Sequence, residues 1–503
     1  MKWYGEVCLG FAVALSTLQV AGQQSALPIP PPLPATADPA PPPSPKLGPF
    51  DISINWRTRV EGWNWFKGNT GESDYPFWDS LFRVGIGQNF ERLEWFVEGE
   101  QVFILGLPTN AVVAPPQGQL GLGGNYYAAN ANQENNVGGF LKQAYVNFKH
   151  LGPASLKLGR FEFFDGAEVK LKDPLLAAIV QTRISSRLIS NFGFSAVQRT
   201  FDGANFSWNL DDNNNLTFFG ARPTEGVFQV KGMDELDIQV YYGAFTRSVS
   251  DAHGAGDLRI FAIGYIDGRP NVVKTDNRPL AVRTADHGEI ALATYGADYV
   301  HVFNTASKGK FDFLAWGALQ GGSWGSLTQR AGAFVTEAGW QPPLQALKLW
   351  ASVGYSYGSG DGNPNDSTHG TFFQVLPTPR QYARFPFYNM MNNADLYGTL
   401  NLVPTSRWLL RSEFHWLRLA NAADLWYTGG GAFQPNTFGY TGRPSNRNGG
   451  LADVLDFSAS YQFTRHFEAN AYYAHAWGKG VVASIYPKDS NGRLMYLETN
   501  LHF

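Results

Sequence analysis

Residues 51–61 read DISINWRTRVE, and this stretch decides the fold because its chemistry changes at every second residue. The apolar side chains share one parity: Ile52, Ile54, Trp56 and Val60. The charged side chains share the other: Asp51, Arg57, Arg59 and Glu61. Successive side chains of a β-strand point to opposite faces. The stretch therefore predicts a strand with one face toward lipid and the other toward a wet interior.

The end of the chain repeats this alternation. One face of the last strand carries Met495, Leu497, Thr499, Leu501 and Phe503, and the other carries Tyr496, Glu498, Asn500 and His502. Residues 455–463 alternate in the same way, with Leu455, Phe457, Ala459, Tyr461 and Phe463 opposite Asp456, Ser458, Ser460 and Gln462. A terminal aromatic residue is typical of outer-membrane barrels. We therefore expect Phe503 to be presented to the barrel-assembly machinery.

From Asp51 onward, alternation recurs in segments of about ten residues, the length that a tilted strand needs to cross the hydrocarbon layer. The sequence predicts 18 of them, at 51–64, 78–88, 93–104, 139–149, 154–163, 195–210, 216–224, 236–246, 256–268, 288–302, 309–321, 329–341, 347–358, 393–403, 407–419, 451–463, 467–477 and 493–503.

The lengths of the links between these segments sort into two groups. Links after even-numbered segments are mostly short, as at 211–215, 404–406 and 464–466. Links after odd-numbered segments are mostly long, as at 105–138, 164–194, 359–392 and 420–450; the link at 247–255 is longer than its side predicts, and 322–328 is shorter. This pattern predicts an all-β, transmembrane antiparallel β-barrel with short periplasmic turns, long extracellular loops and both termini in the periplasm.

Composition agrees with a β-rich membrane wall. Aromatic residues make up 15% of the chain and charged residues 16%, whereas soluble domains carry about 25% charge. A net charge of −3 gives no overall attraction to nucleic acid. Neither a phosphate-binding GxxxxGK[ST] loop nor a strand-linked GxGxxG occurs, so any transport is passive or driven from elsewhere.

The N-terminus divides into two predicted segments before the barrel. Residues 1–22 have a charged start, an apolar run and a small-residue end, which indicate a signal peptide and include the only cysteine, Cys8. Residues 23–49 form a Pro-rich periplasmic linker, in which 27–49 hold 11 of the 30 prolines. This linker is either a spacer or a ligand for a periplasmic partner. The barrel is predicted over 50–503.

An arginine or lysine on the lipid face costs roughly 2–4 kcal/mol at the midplane, so parity assigns charged residues to the lumen. The cations so assigned are Arg57, Arg59, Arg83, Arg199, Arg259 and Arg411. Their acidic neighbours are Glu94, Glu98, Glu100 and Glu413. Two interpretations stay open: the arginines form a path for anionic solutes, or they pair with the glutamates and stiffen the barrel.

Several motifs, in order, resemble the alginate-export family of outer-membrane porins. They are LFRVGIGQNFERLEWFVEGEQV at 81–102, QAYV at 143–146, LKLGRFEF at 156–163, RTFDG at 199–203, and GSGDGNPND with FFQVLPTPRQYARFPFYNMMNN between 358 and 393. The resemblance implies an 18-stranded pore for an anionic polysaccharide. It also implies lumenal roles for Arg83, Arg160, Arg199 and Asp202, although Arg160 shares parity with the apolar Leu156 and Leu158. The Pro-rich segment departs from the family pattern.

Catalytic and metal signatures are weak. Nine histidines lie without HExxH spacing, and Ser412 and His415 have opposite parity, which argues against a barrel hydrolase. Asp361, Asn363 and Asn365 match three positions of a calcium loop, but Asp366 stands where glycine is needed. We therefore expect no enzyme, no metal and no cofactor.

The sequence thus predicts an outer-membrane channel that lets an anionic saccharide of alginate type pass through an arginine-lined lumen, in contact with lipid and lipopolysaccharide. One alternative is a general uptake porin for small nutrients. Another is a non-conducting scaffold or adhesin barrel that only displays its loops.

Overall fold

The computed structural model describes residues 45–305, 307–344, 346–378, 385 and 389–503. The predicted signal peptide and all but the last five residues of the predicted Pro-rich linker lie outside the described residues. The short strand Lys46–Leu47 pairs with the first barrel strand. No described helix is long and apolar enough to cross a membrane.

The molecule is a closed antiparallel barrel of 18 strands. In chain order they are β1 Phe50–Asn64, β2 Asp74–Asn89, β3 Leu93–Leu105, β4 Asn136–Leu151, β5 Ala154–Phe161, β6 Phe201–Asn209, β7 Asn214–Pro223, β8 Ile238–Asp251, β9 Gly254–Asp267, β10 Ile290–Thr305, β11 Gly309–Trp324, β12 Leu327–Gln341, β13 Trp350–Gly358, β14 Asn393–Thr405, β15 Trp408–Arg418, β16 Gly450–Thr464, β17 Phe467–Gly478 and β18 Asn491–His502.

Each strand pairs with its neighbours in the chain, and β1 pairs with β18 from Asn55↔His502 to Asn64↔Arg493. This pairing closes the barrel, so every strand has a partner on both sides. Each predicted segment overlaps one strand, which confirms the predicted number and order. The segment predicted to start at residue 195 starts instead at Phe201, because residues 195–200 belong to a loop inside the barrel.

The two rims differ as the sequence predicts. One rim, the short-turn rim, holds the chain termini of the barrel and tight links such as 152–153, 406–407 and 465–466. The link predicted over 247–255 is really a two-residue turn at 252–253, because β8 and β9 extend further than their apolar alternation does. The other rim, the long-loop rim, holds long connections and one tight turn at 325–326.

The long loops contain short helices and short strands. The helices are α1 Leu122–Ala129, α2 Pro174–Ile179, α3 Leu280–Ala285 and α4 Gly480–Ile485, and a π-helical turn Val180–Ile184 follows α2 directly. Leu425–Gly429 and Tyr440–Pro444 form a hairpin. Thr368–His369 pairs in parallel with β12.

The strand faces sort by chemistry. Trp56 and Val60 are 44% and 53% exposed on the outer face of β1, whereas Arg57 and Arg59 are buried on its inner face. On β18, Leu497 is 57% exposed and Glu498 is buried. In a barrel that crosses a membrane, these outer side chains contact lipid.

Apolar side chains also fill much of the interior, where the loops meet the wall. One cluster includes Ile184, Leu188 and Phe373, and a second includes Trp63, Phe194 and Trp426. Both clusters combine wall residues with residues from the long loops. The loops are therefore packed inside the barrel mouth and fix the shape of the lumen.

The outer face gives a stability prediction. Leu497→Arg, midway along β18, should lower the free energy of unfolding by about 2–4 kcal/mol, because it places a cation at the middle of the lipid layer. Leu151→Arg, next to a short turn, is the matched control and should cost about 0–1 kcal/mol. Denaturant unfolding of the protein refolded in lipid vesicles measures both values. Equal losses at the two positions would contradict the assignment of the lipid face.

Candidate functional site

The connection between β5 and β6, residues 162–200, enters the barrel, and we call it the inward loop. Its helix α2 begins where the Asp173 carboxylate accepts the Leu176 amide at 2.9 Å and Pro174 occupies the first turn. Residues 169–174 line a cavity of about 400 Å³ together with the short turn 211–213. The inward loop leaves β5 on the side of the long-loop rim, so it runs down the lumen to the short-turn rim.

Two arginines of β1 bind the backbone of the inward loop. The Arg57 guanidinium donates to the carbonyls of Gly193, Phe194 and Ser195 at 2.6, 3.2 and 2.5 Å. Arg59 donates to the Phe194 carbonyl at 3.0 Å, and its guanidinium lies 3.8 Å from the centre of the Phe194 ring. Both arginines are buried. They therefore fasten residues 193–195 to the wall.

A second attachment lies on β2 and β4. Arg83 donates to Glu100 at 2.6 Å, to Glu162 at 3.1 Å and to Gln198 at 2.7 Å, so it joins the wall to both ends of the inward loop. Lys142 donates to the Val197 carbonyl at 2.9 Å. Because Arg83 is 1% exposed, these carboxylates balance a charge that would otherwise be buried alone.

The opposite side of the lumen holds the inward loop through ion pairs. Arg259 on β9 lies 3.7 Å from Asp165 and 3.5 Å from Glu168, both in the loop. Arg183 in the π-helical turn lies 3.4 Å from Glu337 on β12 and 3.3 Å from Glu413 on β15. Ion pairs on facing walls thus fix the inward loop across the lumen.

Most of the predicted lumenal arginines have acidic partners. Those with a carboxylate oxygen within 4.0 Å are Arg57, Arg59, Arg83, Arg259 and Arg411. Glu98 lies 3.8 Å from Arg83, and Glu413 pairs with Arg411. Glu94 accepts instead from Tyr145 at 3.0 Å and Asn147 at 3.2 Å. For these five arginines the geometry favours the interpretation in which they pair with acids and stiffen the barrel.

Arg199 differs from those five. It is 0% exposed and donates to the carbonyls of Gly430 and Ala432 at 2.6 and 3.3 Å. Among the described residues, no carboxylate oxygen lies within 4.0 Å of its guanidinium nitrogens. Burial lowers the pKa of Arg199 to about 10, so it keeps its charge at neutral pH. Arg199 is therefore a cation at the point where the inward loop meets the loop between β15 and β16.

Arg160 and Asp202 do not lie in the lumen, and their predicted lumenal position is wrong. Phe161 and Phe201 are buried in the interior, and alternation turns the preceding Arg160 and the following Asp202 to the outer face. They form an ion pair across the adjacent positions of β5 and β6. Both residues lie near the long-loop rim. The free-energy cost of a charged side chain on the outer face is small there.

A cavity of about 510 Å³ opens inside the short-turn rim. Arg83, Lys157, Glu94, Glu98 and Glu162 are among its charged lining residues. Lys157 lies 4.3 Å from the centre of the Tyr145 ring, and no carboxylate oxygen of a described residue lies within 4.0 Å of its ammonium. Lys157 was not among the predicted lumenal cations, although its parity is opposite to that of Leu156 and Leu158.

A cluster of two acidic residues and a histidine has a structural explanation. Glu413, His415 and Asp456 lie close enough to hold a metal ion, but Arg411 and Arg183 already pair with Glu413 and would repel a cation. The buried His415 lies 2.8 Å from Asp395.

The candidate calcium and hydrolase sites likewise use their polar atoms locally. Asp361 and Asn363 accept backbone amides at 2.9 and 3.2 Å within their own loop. Ser412 donates to the Asp456 carbonyl at 2.8 Å and does not contact His415. These contacts are those of turns and strand pairing.

A family model described as alginate export matches residues 50–479. The chain belongs to the alginate-export family. No curated protein matches it.

Solved outer-membrane proteins share the fold of this alginate-export protein. OccK9 (OpdG) of Pseudomonas aeruginosa is 9% identical, with a TM-score of 0.56 over 90% of this chain and 98% of that one. OccAB2 of Acinetobacter baumannii is 8% identical, with a TM-score of 0.54 over 90% of this chain and 98% of that one. OpdK of Pseudomonas aeruginosa is 8% identical, with a TM-score of 0.52 over 90% of this chain and 99% of that one. Family and fold together are those of outer-membrane channels, which are not enzymes.

The anchoring of the inward loop is testable by hydrogen exchange. Arg57→Ala removes the donor to three carbonyls, so we expect the amides of residues 193–198 to exchange at least about tenfold faster, since hydrogen bonds to charged groups contribute about 1.5–3 kcal/mol. Arg493→Ala, at an exposed position on β18, is the matched control. Hydrogen exchange with mass spectrometry measures both. Unchanged exchange at 193–198 in Arg57→Ala would contradict the anchoring role.

Proposed function

We propose that this channel passes anionic solutes, specifically acidic saccharides of alginate type, and that interior cations without acidic partners guide them. The observation that carries the proposal is the pair Lys157 and Arg199. They are interior cations with no carboxylate of a described residue within 4.0 Å. Membership of the alginate-export family supports the class of cargo.

The cavity at the short-turn rim suits such a cargo. Its lining combines the ammonium of Lys157 and the guanidinium of Arg83 with the aromatic side chains of Phe96, Tyr145 and Phe164. Fixed cations lower the electrostatic barrier for an anion, and weak binding at several positions lets the anion move on. The exposed Lys170 and Lys172 of the inward loop lie near the same rim.

The carboxylates of the cavity limit how tightly an anion binds. Glu94, Glu98 and Glu162 line it with Lys157 and Arg83. Arg83 is already shared between Glu100 and Glu162. A passing anion therefore competes with resident carboxylates, which favours transient occupation over retention.

Single-channel recording tests the proposal. In planar bilayers under a salt gradient, the purified mature protein should conduct, prefer anions and be blocked by an added oligouronate. Lys157→Gln should raise the half-blocking concentration by about tenfold, because it removes a charge-assisted hydrogen bond to the anion. Arg199→Gln should lower the preference for anions, because it removes a buried charge that acts on the anion through its electrostatic field. Because the pKa of Arg199 is about 10, its contribution should be unchanged between pH 6 and pH 8.

Arg222→Gln is the matched control, since Arg222 is exposed on β7 and lies beyond the lumen. It should leave block and selectivity unchanged. An open, unselective pore that oligouronate does not block would contradict the proposal and favour a general nutrient porin. A barrel that carries no current would favour a scaffold or adhesin.

A further inference from the structure

The short-turn rim carries an unbroken run of basic turns. Going around the barrel from β10 through β18 and β1 to β5, each of the six short turns has a lysine or arginine in it or within three residues of it. These cations are Lys308, Lys310, Lys348, Arg407, Arg465, Arg92 and Lys149. We call this set the basic arc.

Few acidic groups oppose the basic arc. Within the same distance of these six turns the acidic residues are Glu91, Glu94 and Glu468, against the seven cations. Asp51, at the start of β1, pairs with Lys46 at 3.4 Å. The remaining two short turns, β6–β7 and β8–β9, hold Asp211, Asp212 and the sequence position Asp251. The basic arc therefore carries more cations than carboxylates, whereas the aspartates of the β6–β7 turn lie beside the exposed Lys170 and Lys172 of the inward loop.

Aromatic side chains on the outer face mark the height of the basic arc. Outward-facing Phe148, Phe311, Trp408 and Phe463 are 39%, 37%, 41% and 47% exposed. They lie one or two residues from Lys149, Lys310, Arg407 and Arg465. The indole of Trp340 donates to the Lys308 carbonyl at 2.9 Å, which places another lysine beside the same belt.

Such a belt sits at the boundary between hydrocarbon and headgroups. Cations placed just beyond it toward the short-turn rim lie at the level of lipid phosphates, and long basic side chains reach that level readily. Short turns of an outer-membrane barrel face the periplasm. The phosphates at this height are therefore those of the periplasmic leaflet.

We propose that the basic arc is a binding surface for anionic phospholipids of the periplasmic leaflet. The aromatic belt supports the glycerol and upper acyl region, and the exposed cations of the turns bind the phosphates: Arg92, Lys308, Arg407 and Arg465. The surface is independent of the lumen and of the cargo. The basic arc covers six of the eight short turns, so the anionic lipid collects along that part of the rim.

Native mass spectrometry of the full mature protein tests this surface. The protein in detergent is titrated with phosphatidylglycerol or with phosphatidylcholine. Wild-type protein should bind phosphatidylglycerol in preference, because each basic residue near an anionic surface contributes about fivefold in affinity. Lys308→Gln, Lys310→Gln, Arg407→Gln and Arg465→Gln combined in one variant should lose at least about tenfold of that preference.

A matched variant neutralises four exposed cations of the long loops: Lys67→Gln, Lys231→Gln, Arg447→Gln and Lys488→Gln. It should keep the preference. Single substitutions at Arg407 and Arg465 provide the same comparison if the combined variant folds poorly. Equal binding of the two lipids by wild-type protein, or equal losses in the two variants, would overturn the proposal. Binding of a soluble acidic polysaccharide through the basic arc, without any lipid preference, would also overturn it.

Discussion

The structure depends on how buried arginine charge is balanced inside a closed barrel. A strand that crosses lipid must turn its charged side chains inward, and each inward guanidinium then needs carboxylates or carbonyls around it. The wall supplies part of this balance, as between Arg59 and Glu498. The inward loop supplies the rest, through Glu162, Asp165, Glu168 and the carbonyls of residues 193–195. The loop and the wall charges therefore stabilise each other.

This mutual dependence shapes the channel. The inward loop crosses from the β2 side to the β12 and β15 side, and long loops from the rim pack on it through apolar clusters. Paired arginines become fixed structural charges. Lys157 lines the cavity at the short-turn rim and has no carboxylate of a described residue within 4.0 Å, so it remains available to a solute there.

The barrel itself could be predicted from sequence because strand alternation is local. The residue types at Trp56 and Arg57 indicate which face each side chain occupies without information from any other part of the chain. The path of the inward loop could not, because its contacts join residues far apart, such as Arg57 with Gly193. A β-bulge in β4 also interrupts the two-residue alternation. Opposite Glu98 and Gly99 the register shifts by one residue, so that Lys142 and Gln143 both reach interior carboxylates. Arg160 and Asp202 were assigned by motif, and alternation alone would have placed them outside.

The position of the inward loop is the central claim, and a distance measurement tests it directly. Spin labels on cysteines replacing Lys172, in the inward loop, and Asn213, in the β6–β7 turn, occupy exposed positions that line one cavity. Pulsed electron resonance in lipid should give a distance below about 20 Å, since both labels lie at the short-turn rim. A loop that stayed at the long-loop rim would be separated from Asn213 by at least the hydrocarbon thickness of about 30 Å, and that result would contradict the account.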